Sequence, residues 1–338
     1  MHSWGGNFLR LQLSSDLVAH AFQGTSCLLE KYDPNFESEL AQAVSTATNL
    51  GMLVDLDIVF TNPNCSLNPE TQHSGSSGGW TLAMPGQDVN TALADLASTF
   101  GSNPLVSFEL YNEPHVCVNN NGQAVSGGAP CGWSEAADSN FWADGGSITD
   151  GTQYSAAGMN ELYSTVRSHT NDVVFIDANF YSTDQYTFAD NYLDSVTNVV
   201  YAFHYYPCQG NGACNINPEF CSQITEQLGS LLSNPHGGSW TAPVVIDEFG
   251  WPQGVSKTYN GQSIDTYEHG LELQNVVSYL NTEGIGWAAF AWDGTANQGP
   301  WQLISSTSTY APNTDGTPIQ SAMQGQYATC QNPSPPYE

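Results

Sequence analysis

Short apolar runs alternate with amphipathic helix patterns throughout the 338-residue chain, which predicts an α/β fold with a parallel sheet. The runs are almost continuously apolar, as is typical of strands that are covered on both faces. No G-x-G-x-x-G motif follows the first run and the sequence contains no P-loop, so a dinucleotide-binding, doubly wound sheet is disfavoured. Together these observations favour a (β/α)8 barrel of the TIM type.

Seven segments are predicted to be strands, whereas a closed barrel of this type has eight. They are Asn7–Leu13, Leu53–Phe60, Leu105–Tyr111, Val173–Asp177, Val199–His204, Val244–Asp247 and Ile285–Ala291. The first of them begins close to the start of the chain, so we expect the barrel to lack its first β/α unit at the N-terminus. Because no linker rich in proline or serine divides the chain, residues 1–338 are predicted to form a single domain with a C-terminal tail at about 305–338.

Three helix patterns between the strands each have one apolar face, which we interpret as packing against the core. Their apolar positions are Phe36, Leu40, Val44 and Ala47, then Val89, Leu93, Leu96 and Phe100, and finally Leu271, Val276, Val277 and Leu280. Asp33 and Pro34 are predicted to be the N-cap and the first residue of the first helix. Gly51, Gly101 and Gly284 follow the three patterns and are predicted to end the helices.

A barrel that lacks one strand has two strand edges, where unpaired backbone groups can pair with another chain. We expect the gap to be covered either by the tail from Ser305 to Glu338, which Cys330 can anchor through a disulfide, or by a second copy of the protein. The protein is therefore predicted to be a monomer or a homodimer in which the position of the missing strand is covered.

The charge of the chain limits its partners. It has 33 acidic residues against four lysines and arginines, a formal net charge of −29 at pH 7. Such a charge repels phosphate backbones, so no nucleic-acid partner is expected. No run of about 18 apolar residues occurs, so no membrane-spanning segment is predicted.

The chain has eight cysteines and no C-x-x-C pair, which favours disulfides over a structural zinc site. We expect a local bridge between Cys117 and Cys131. Cys208, Cys214 and Cys221 lie close together in the sequence, so at least one of them must reach a distant partner. Disulfides indicate an oxidising compartment, and the protein is predicted to be secreted. An extracellular protein with this sequence is expected to have lost a leader, because the sequence shows none.

Polar residues at the carboxyl ends of the strands are the candidates for catalysis in a β/α barrel. In this chain they include Arg10, Asp55, Asp57, Asn112, Glu113, Asp177, Asn179, His204, Tyr206, Asp247, Glu248 and Trp292. A carboxylate at the end of a buried strand is costly unless its charge is paired or used, so Glu113 and Glu248 suit paired-carboxylate catalysis. Glu109 and Asp247 point to the opposite side of their strands, and we interpret both as structural.

These residues resemble the motifs of glycoside hydrolase family 5, the family of cellulases, mannanases and their relatives. The segment Leu110–His115 resembles its Asn-Glu-Pro signature, His204-Tyr205-Tyr206 resembles its His-x-Tyr strand, and Ile246–Gly250 resembles its nucleophile strand. Arg10 and Trp292 lie where the family has an arginine and an aromatic sugar platform, and the seven strands match in order over nearly the whole chain. The family commonly has a histidine where this chain has Asp57, so contacts to the sugar at the cleavage point are expected to differ there.

The resemblance implies a single glycoside hydrolase catalytic domain with Glu113 as acid/base and Glu248 as nucleophile. Retaining enzymes of this kind hold the two carboxyls roughly 5–5.5 Å apart. Six residues are expected to bind substrate or to support the carboxyls: Arg10, Asp57, Asn112, His204, Tyr206 and Trp292. Arg10 and Tyr206 are expected to orient Glu248. The tryptophans Trp133 and Trp142 of the polar region 116–150 are plausible walls of a substrate cleft.

The predicted function is that of an endo-acting, retaining β-glucanase that hydrolyses β-1,4-glucan, the cellulose type of substrate, by double displacement. Two alternatives stay open: a β-mannanase or xyloglucanase of the same family, and a catalytically impaired carbohydrate-binding protein. The expected partner is a polysaccharide. The mechanism requires no metal and no cofactor, and the sequence contains no cofactor motif.

Overall fold

A strand is present at each of the seven predicted positions. This computed structural model describes residues 1–18, 34–61, 82–127, 135–188, 192–206, 220–233, 242–250, 257–259, 262–264, 269–294, 302–326 and 329–330. The strands are β1 (Phe8–Ser14), β2 (Leu53–Phe60), β3 (Val106–Glu109), β4 (Val116–Val118), β5 (Ala124–Ser126), β6 (Gly145–Asp150), β7 (Thr152–Ala157), β8 (Val174–Asp177), β9 (Val199–Tyr205), β10 (Val244–Phe249), β11 (Lys257–Tyr259), β12 (Gln262–Ile264) and β13 (Gly286–Ala289). The helices are α1 (Phe36–Asn49), α2 (Gln87–Phe100), α3 (Glu135–Asp144), α4 (Met159–Arg167), α5 (Phe220–Leu231), α6 (His269–Glu283) and α7 (Gly316–Met323).

The main sheet has seven strands in the order β1-β2-β3-β8-β9-β10-β13. The pairs β1–β2, β2–β3, β3–β8, β8–β9 and β10–β13 are parallel, and helices separate most of the strands along the chain. Within the described residues the order has two ends, β1 and β13, so no eighth strand closes it. The fold class is therefore confirmed: a fold of the (β/α)8 type in which seven strands are present.

Two compact units make up the chain. Unit I comprises Asn7–Ala202 and Asn234–Pro243, and unit II comprises Met1–Gly6, Phe203–Ser233 and Val244–Glu338. Strand β9 contributes residues to both, because the boundary falls after Ala202. Unit I contains β1 to β8, and unit II contains β10 to β13. A single catalytic domain over residues 1–338 stays a prediction.

The two strands at the ends of the order are less buried than those between them. All residues of β3 and β8 are buried, and so are the six inner residues of β2. Most residues of β1, in unit I, are partly exposed, as are Trp287, Ala288 and Ala289 of β13, in unit II. This difference is the one expected for the first and last strands of an unclosed sheet.

Most of the predicted apolar positions of the helices are buried, whereas Phe36 is partly exposed and the side chain of Leu271 lies outside the described ones. In α1 the buried positions comprise Leu40, Val44 and Ala47, in α2 Val89, Leu93, Leu96 and Phe100, and in α6 Val276, Val277 and Leu280. Gly51 and Gly284 follow their helices with φ of 77° and 71°, a conformation that favours glycine. The predicted N-cap was wrong: α1 begins at Phe36 with Asn35 before it, and Asn35 accepts hydrogen bonds through its backbone carbonyl from Ser38 and Glu39. Asp33 lies outside the described residues.

The region 116–150, interpreted from the sequence as polar loop, instead contains helix α3 and most of a four-stranded sheet in the order β4-β5-β6-β7. Strands β4 and β5 have three residues each, so their sequence shows no alternation long enough to predict them. The side chain of Asn119 closes their turn by accepting from the backbone N–H groups of Asn121 and Gln123. Gly151, with φ of 65°, joins β6 to β7.

The C-terminal tail is docked within unit II. The backbone N–H of Leu303 donates to the carbonyl of Ala291, and Leu303, Ile304 and Ile319 are buried. Gly5 lies so close to the end of α7 that an added Cβ would approach the carbonyl oxygen of Met323 to 2.3 Å. The first residues of the chain and α7 are therefore in direct contact.

A disulfide joins Cys221 to Cys330, with a sequence separation of 109. This confirms that one of the three clustered cysteines has a distant partner and that Cys330 anchors the tail. Cys117 is also disulfide-bonded, whereas Cys131, its predicted partner, lies outside the described residues. Covering of the missing strand's position by the tail or by a second copy stays a prediction.

We predict that Cys330→Ser lowers the free energy of unfolding by about 2–4 kcal/mol, because the disulfide that restrains a long loop of the unfolded chain is lost. Thermal unfolding with and without a reductant measures the effect, and the reductant should destabilise the parent more than the variant. Leu50→Ala is the control, since Leu50 is exposed at the end of α1. An unchanged melting temperature in Cys330→Ser would show that this disulfide does not stabilise the fold.

Candidate active site

Arg10 is the centre of a buried ionic cluster in unit I. Its guanidinium binds both carboxylate oxygens of Glu109, with Nε at 2.7 Å from Oε2 and Nη2 on Oε1. Nη2 also donates to Oδ1 of Asn112 at 2.8 Å and lies 3.1 Å from Oδ2 of Asp57. The parallel register explains the cluster, because Arg10 lies opposite Asp55 and Asp57 lies opposite Glu109. A planar guanidinium that binds a carboxylate through two donors fixes both groups in orientation.

The three carboxyls of this cluster differ in their pKa values. Burial alone would raise the pKa of Glu109, but the charge and hydrogen bonds of Arg10 outweigh burial and lower it to about 2. Burial first, and then the neighbouring Glu109 carboxylate, raise the pKa of Asp55 well above 3.8, and Ser107 donates to its Oδ1 at 2.6 Å. Burial also raises the pKa of Asp57 well above its usual value, although Arg10 opposes the shift. Arg10 thus supplies the positive charge of the cluster.

Glu113 follows β3 in a backbone conformation that is uncommon for a residue other than glycine, with φ of 51°. Its backbone N–H donates to Oδ2 of Asp177 at 2.8 Å, and its carbonyl lies 2.8 Å from Nδ1 of His115. The hydroxyl of Ser182 donates to the same oxygen of Asp177 at 2.6 Å. Asp177, at the end of β8, therefore fixes the backbone that carries Glu113, which is itself partly exposed.

A left-handed turn after β8 is attached to the Glu113 loop. Phe180, Tyr181 and Ser182 have φ between 53° and 59°. The N–H of Tyr181 donates to the carbonyl of Pro114, and the ring of Tyr181 stacks on His115 with centroids 4.2 Å apart. Burial lowers the pKa of His115, which favours its neutral form. His115 is thus a packed residue of this loop. Tyr181 was missed because nothing in the sequence indicates its backbone conformation.

Glu248 lies near the end of β10 in unit II and is buried. The hydroxyl of Tyr206 donates to its Oε1 at 2.6 Å, as predicted for the orientation of this carboxylate. The ring of His204 lies between two acids, with Nε2 at 3.6 Å from Oδ1 of Asp247 and Nδ1 at 3.9 Å from Oε1 of Glu248. Asp247 therefore lies beside His204, in keeping with its structural interpretation.

Trp292, three residues after β13, is partly exposed within an aromatic group of unit II. The buried Trp4 packs edge-on against it with ring centroids 4.4 Å apart, and Tyr310 lies on it with ring planes at 18°.

Trp142 does not line a cleft, contrary to the sequence-based prediction. It is fully buried in α3 of unit I and donates its indole N–H to the carbonyl of Asp177, whereas Trp133 lies outside the described residues.

The predicted site residues thus fall into two groups. In unit I the structure brings together Arg10, Asp57 and Asn112, and Glu113 follows Asn112 directly in the chain. In unit II it brings together His204, Tyr206 and Glu248. Asp57 and Asn112 are buried, so their contact with substrate stays a prediction, as does the orientation of Glu248 by Arg10.

No helix in the described part of the chain is long and apolar enough to cross a membrane.

In a fold of the (β/α)8 type the residues at and after the carboxyl ends of the strands carry the chemistry, and Glu113, after β3, and Glu248, near the end of β10, have such positions. The sequence matches the family model "Cellulase (glycosyl hydrolase family 5)" over residues 1–296. The chain therefore belongs to glycosyl hydrolase family 5, and it is a glycoside hydrolase.

Solved structures with the same fold include several glucanases. A beta-glucanase from Saccharophagus degradans is 17% identical, with a TM-score of 0.60 over 96% of this chain and 80% of that chain. The endoglucanase Cel5A of Pseudomonas stutzeri is 15% identical, with a TM-score of 0.55 over 98% of this chain and 84% of the other. An endo-beta-1,4-glucanase from Xanthomonas axonopodis pv. citri is 13% identical, with a TM-score of 0.54 over 96% and 88%. A search of the curated proteins found no match.

The buried cluster predicts opposite pH effects for two amide substitutions. The depressed pKa of Glu109 means that its stabilisation is present above pH 4.5 and is lost as the pH falls towards about 2. Glu109→Gln should therefore cost about 3 kcal/mol or more at neutral pH, because Arg10 loses its main partner, and less in acid. The raised pKa of Asp55 means that its contribution is present below pH 3.8 and is lost as the pH rises through its higher value in the fold. Asp55→Asn should therefore stabilise the protein at neutral pH and have little effect below pH 3.8.

Urea unfolding of the parent and the two variants across this pH range measures both effects. The variants are matched, since each exchanges one buried carboxyl for the amide of the same shape. A loss of stability in Asp55→Asn at neutral pH equal to that in Glu109→Gln would contradict the assignment of charges.

Proposed function

We propose that this chain is an endo-acting, retaining β-glucanase that hydrolyses β-1,4-glucan by double displacement. Its family supports hydrolysis of a glycan, and the solved structures with the same fold include an endo-beta-1,4-glucanase and the protein XacCel5A in complex with cellopentaose. The observation that carries the proposal is the buried Glu248 at the end of a parallel strand, which accepts the hydroxyl of Tyr206 at 2.6 Å. A hydrogen bond of this kind fixes the orientation of the carboxyl group that is to attack the anomeric carbon.

In the first step, a carboxylate oxygen of Glu248 forms a bond to the anomeric carbon while the bond from that carbon to the glycosidic oxygen breaks. The departing oxygen takes its proton from Glu113. In the second step, water attacks the anomeric carbon, its proton passes to Glu113, and the bond to Glu248 breaks. Both steps invert the anomeric centre, so the product retains the configuration of the substrate, and the reaction uses no cofactor.

The residues near Glu113 suit the role of acid/base. Its backbone is held by Asp177 and His115, so the side chain is carried on a fixed loop although it is partly exposed. The side chain of Asn112 is held by Arg10, which in turn is fixed by Glu109. We propose that Asn112 donates its amide N–H to a sugar hydroxyl, that His204 supports the Glu248 carboxylate, and that Trp292 stacks on a sugar ring. Arg10 contributes by holding the side chain of Asn112 in place, and Asp57 contributes through its ion pair with Arg10.

A β-mannanase or a xyloglucanase has the same chemistry, and a catalytically impaired binding protein has the same fold. Release of reducing sugar from cellulose, carboxymethyl cellulose, mixed-linkage glucan, mannan and xyloglucan distinguishes these alternatives from the proposed β-glucanase. We expect release from the β-1,4-glucans, with a rapid fall in viscosity that indicates internal cleavage. Binding without release from any substrate would favour the impaired protein.

The disulfide of Cys221 fits the proposal that the protein acts outside the cell. We propose that it does so as a monomer or a homodimer.

We predict that Glu248→Gln lowers kcat by several orders of magnitude and leaves the fold intact, because the amide cannot attack the anomeric carbon. A 2-fluoro glycoside with an activated leaving group should label Glu248 in the parent, as identified by mass spectrometry of the peptide. Glu161→Gln is the matched control, since Glu161 lies on α4 and bonds only to exposed side chains among its described contacts. Hydrolysis by Glu248→Gln at the rate of this control would disprove the assignment.

We predict that Glu113→Ala slows hydrolysis of oligosaccharides far more than that of activated aryl glycosides. An activated phenolate leaves without protonation, so the loss of the acid affects it less in the first step. Added azide should restore turnover in part and give a glycosyl azide of retained configuration. Glu135→Ala, an exposed position at the start of α3, is the control. A product of inverted configuration would instead indicate direct attack by water.

A further inference from the structure

The C-terminal tail places an exposed aromatic ring beside Trp292. Tyr310 is 53% exposed, and its ring lies 6.3 Å from that of Trp292, centroid to centroid, with 18° between the ring planes. Rings that are nearly parallel at this distance are offset from each other, so each leaves part of its face free. Single exposed apolar residues are common on protein surfaces, but this one is next to a second, partly exposed aromatic ring.

The loop that carries Tyr310 is held by its own hydrogen bonds. The N–H of Tyr310 donates to the carbonyl of Ser306, the N–H of Ser305 donates to the carbonyl of Ala311, and Ile304 forms a bridge with Pro312. Tyr310 itself has φ of 53°, which is uncommon for a bulky residue and is kept only where the surroundings impose it. The backbone that carries the ring is therefore fixed by the loop.

The same loop is fixed to the segment that carries Trp292. Leu303 donates to the carbonyl of Ala291, the residue before Trp292. Gly294 lies against the backbone of Ser306 and Thr307, and an added Cβ would come within 2.8 Å of it. Trp292 also contacts the buried ring of Trp4. Both termini of the chain thus hold this pair of rings in unit II.

We propose that Tyr310 is a carbohydrate-binding residue, and that it extends the surface of Trp292 so that the pair binds successive sugar rings of one glycan chain. The flat apolar face of a pyranose packs on an aromatic ring, and two fixed, offset rings fit a linear polymer of such units. The residues matched by the family model end at 296, so Tyr310 lies in a part of the chain beyond it. The proposal rests on the proposed function in its choice of ligand, a β-1,4-linked oligosaccharide.

The test is the dependence of binding on ligand length. In the Glu248→Gln background, which prevents turnover, the dissociation constants of glucose and cellohexaose are measured by calorimetry for the protein with Tyr310 unchanged, for Tyr310→Ala and for Tyr310→Phe. We expect Tyr310→Ala to reduce the ratio of the two affinities about tenfold, the effect of losing one stacking contact, because only the longer ligand reaches both rings. Tyr310→Phe keeps the ring and should restore the ratio. Leu50→Ala removes an exposed apolar side chain of unit I and serves as the control.

Three results would overturn the proposal. Unchanged affinities for both ligands in Tyr310→Ala would show that the ring does not bind sugar, and an equal loss for both ligands, which leaves the ratio unchanged, would show that Tyr310 only supports Trp292. The proposed function is tested separately by cleavage of β-1,4-glucan by the wild-type chain. If the wild type cleaves nothing but the Glu248→Gln protein binds cellohexaose with the expected length effect, the proposed activity fails and the role of Tyr310 stands. A Glu248→Gln protein that binds neither ligand overturns the role of Tyr310.

Discussion

The ion pair between Arg10 and Glu109 is the interaction on which the part of unit I around Asn112 and Glu113 depends. Both groups are buried, and a buried charge is tolerated only when it is paired and hydrogen-bonded. The guanidinium joins β1 to β3 and also holds the side chain of Asn112, the neighbour of Glu113 in the chain. The chain has only four lysines and arginines. Arg10 is thus a rare cation placed where several carboxyls meet.

The protonation of this cluster follows from its composition. Asp55, Asp57 and Glu109 are all buried near a single guanidinium, so they cannot all ionise at low cost. Glu109 takes the direct contact with Arg10 and keeps its charge, whereas burial favours the protonated form of Asp55. Glu109 therefore stays ionised in mild acid, whereas Asp55 is the carboxyl that holds a proton. The difference between them arises because Glu109 is the one that binds Arg10 directly.

The loop around Glu113 and the aromatic group around Trp292 are built on the same physical basis. Each contains a residue other than glycine with a positive φ, Glu113 in one and Tyr310 in the other. Each of these residues donates its backbone N–H to a hydrogen bond that holds it in place. Such conformations persist where the surrounding structure determines them, and they are typical of functional sites. The two residues are held by different parts of the chain. The backbone of Glu113 is held by Asp177 of the neighbouring strand, whereas the backbone of Tyr310 is held by Ser306 within the tail.

The sequence alone determined the seven strands, the apolar faces of the helices and the positions of Glu113 and Glu248 at strand ends, because these depend on local periodicity and on the cost of a buried charge. It also indicated that Tyr206 lies near Glu248, but only through the resemblance of its motif to a known family. Tertiary structure decided the rest. Trp142 is buried because α3 packs it against the end of β8, and Arg10 binds Glu109 because the register of β1, β2 and β3 brings them together. Tyr310 meets Trp292 because the tail returns to the segment after β13, a contact between distant positions that no local pattern of residues specifies.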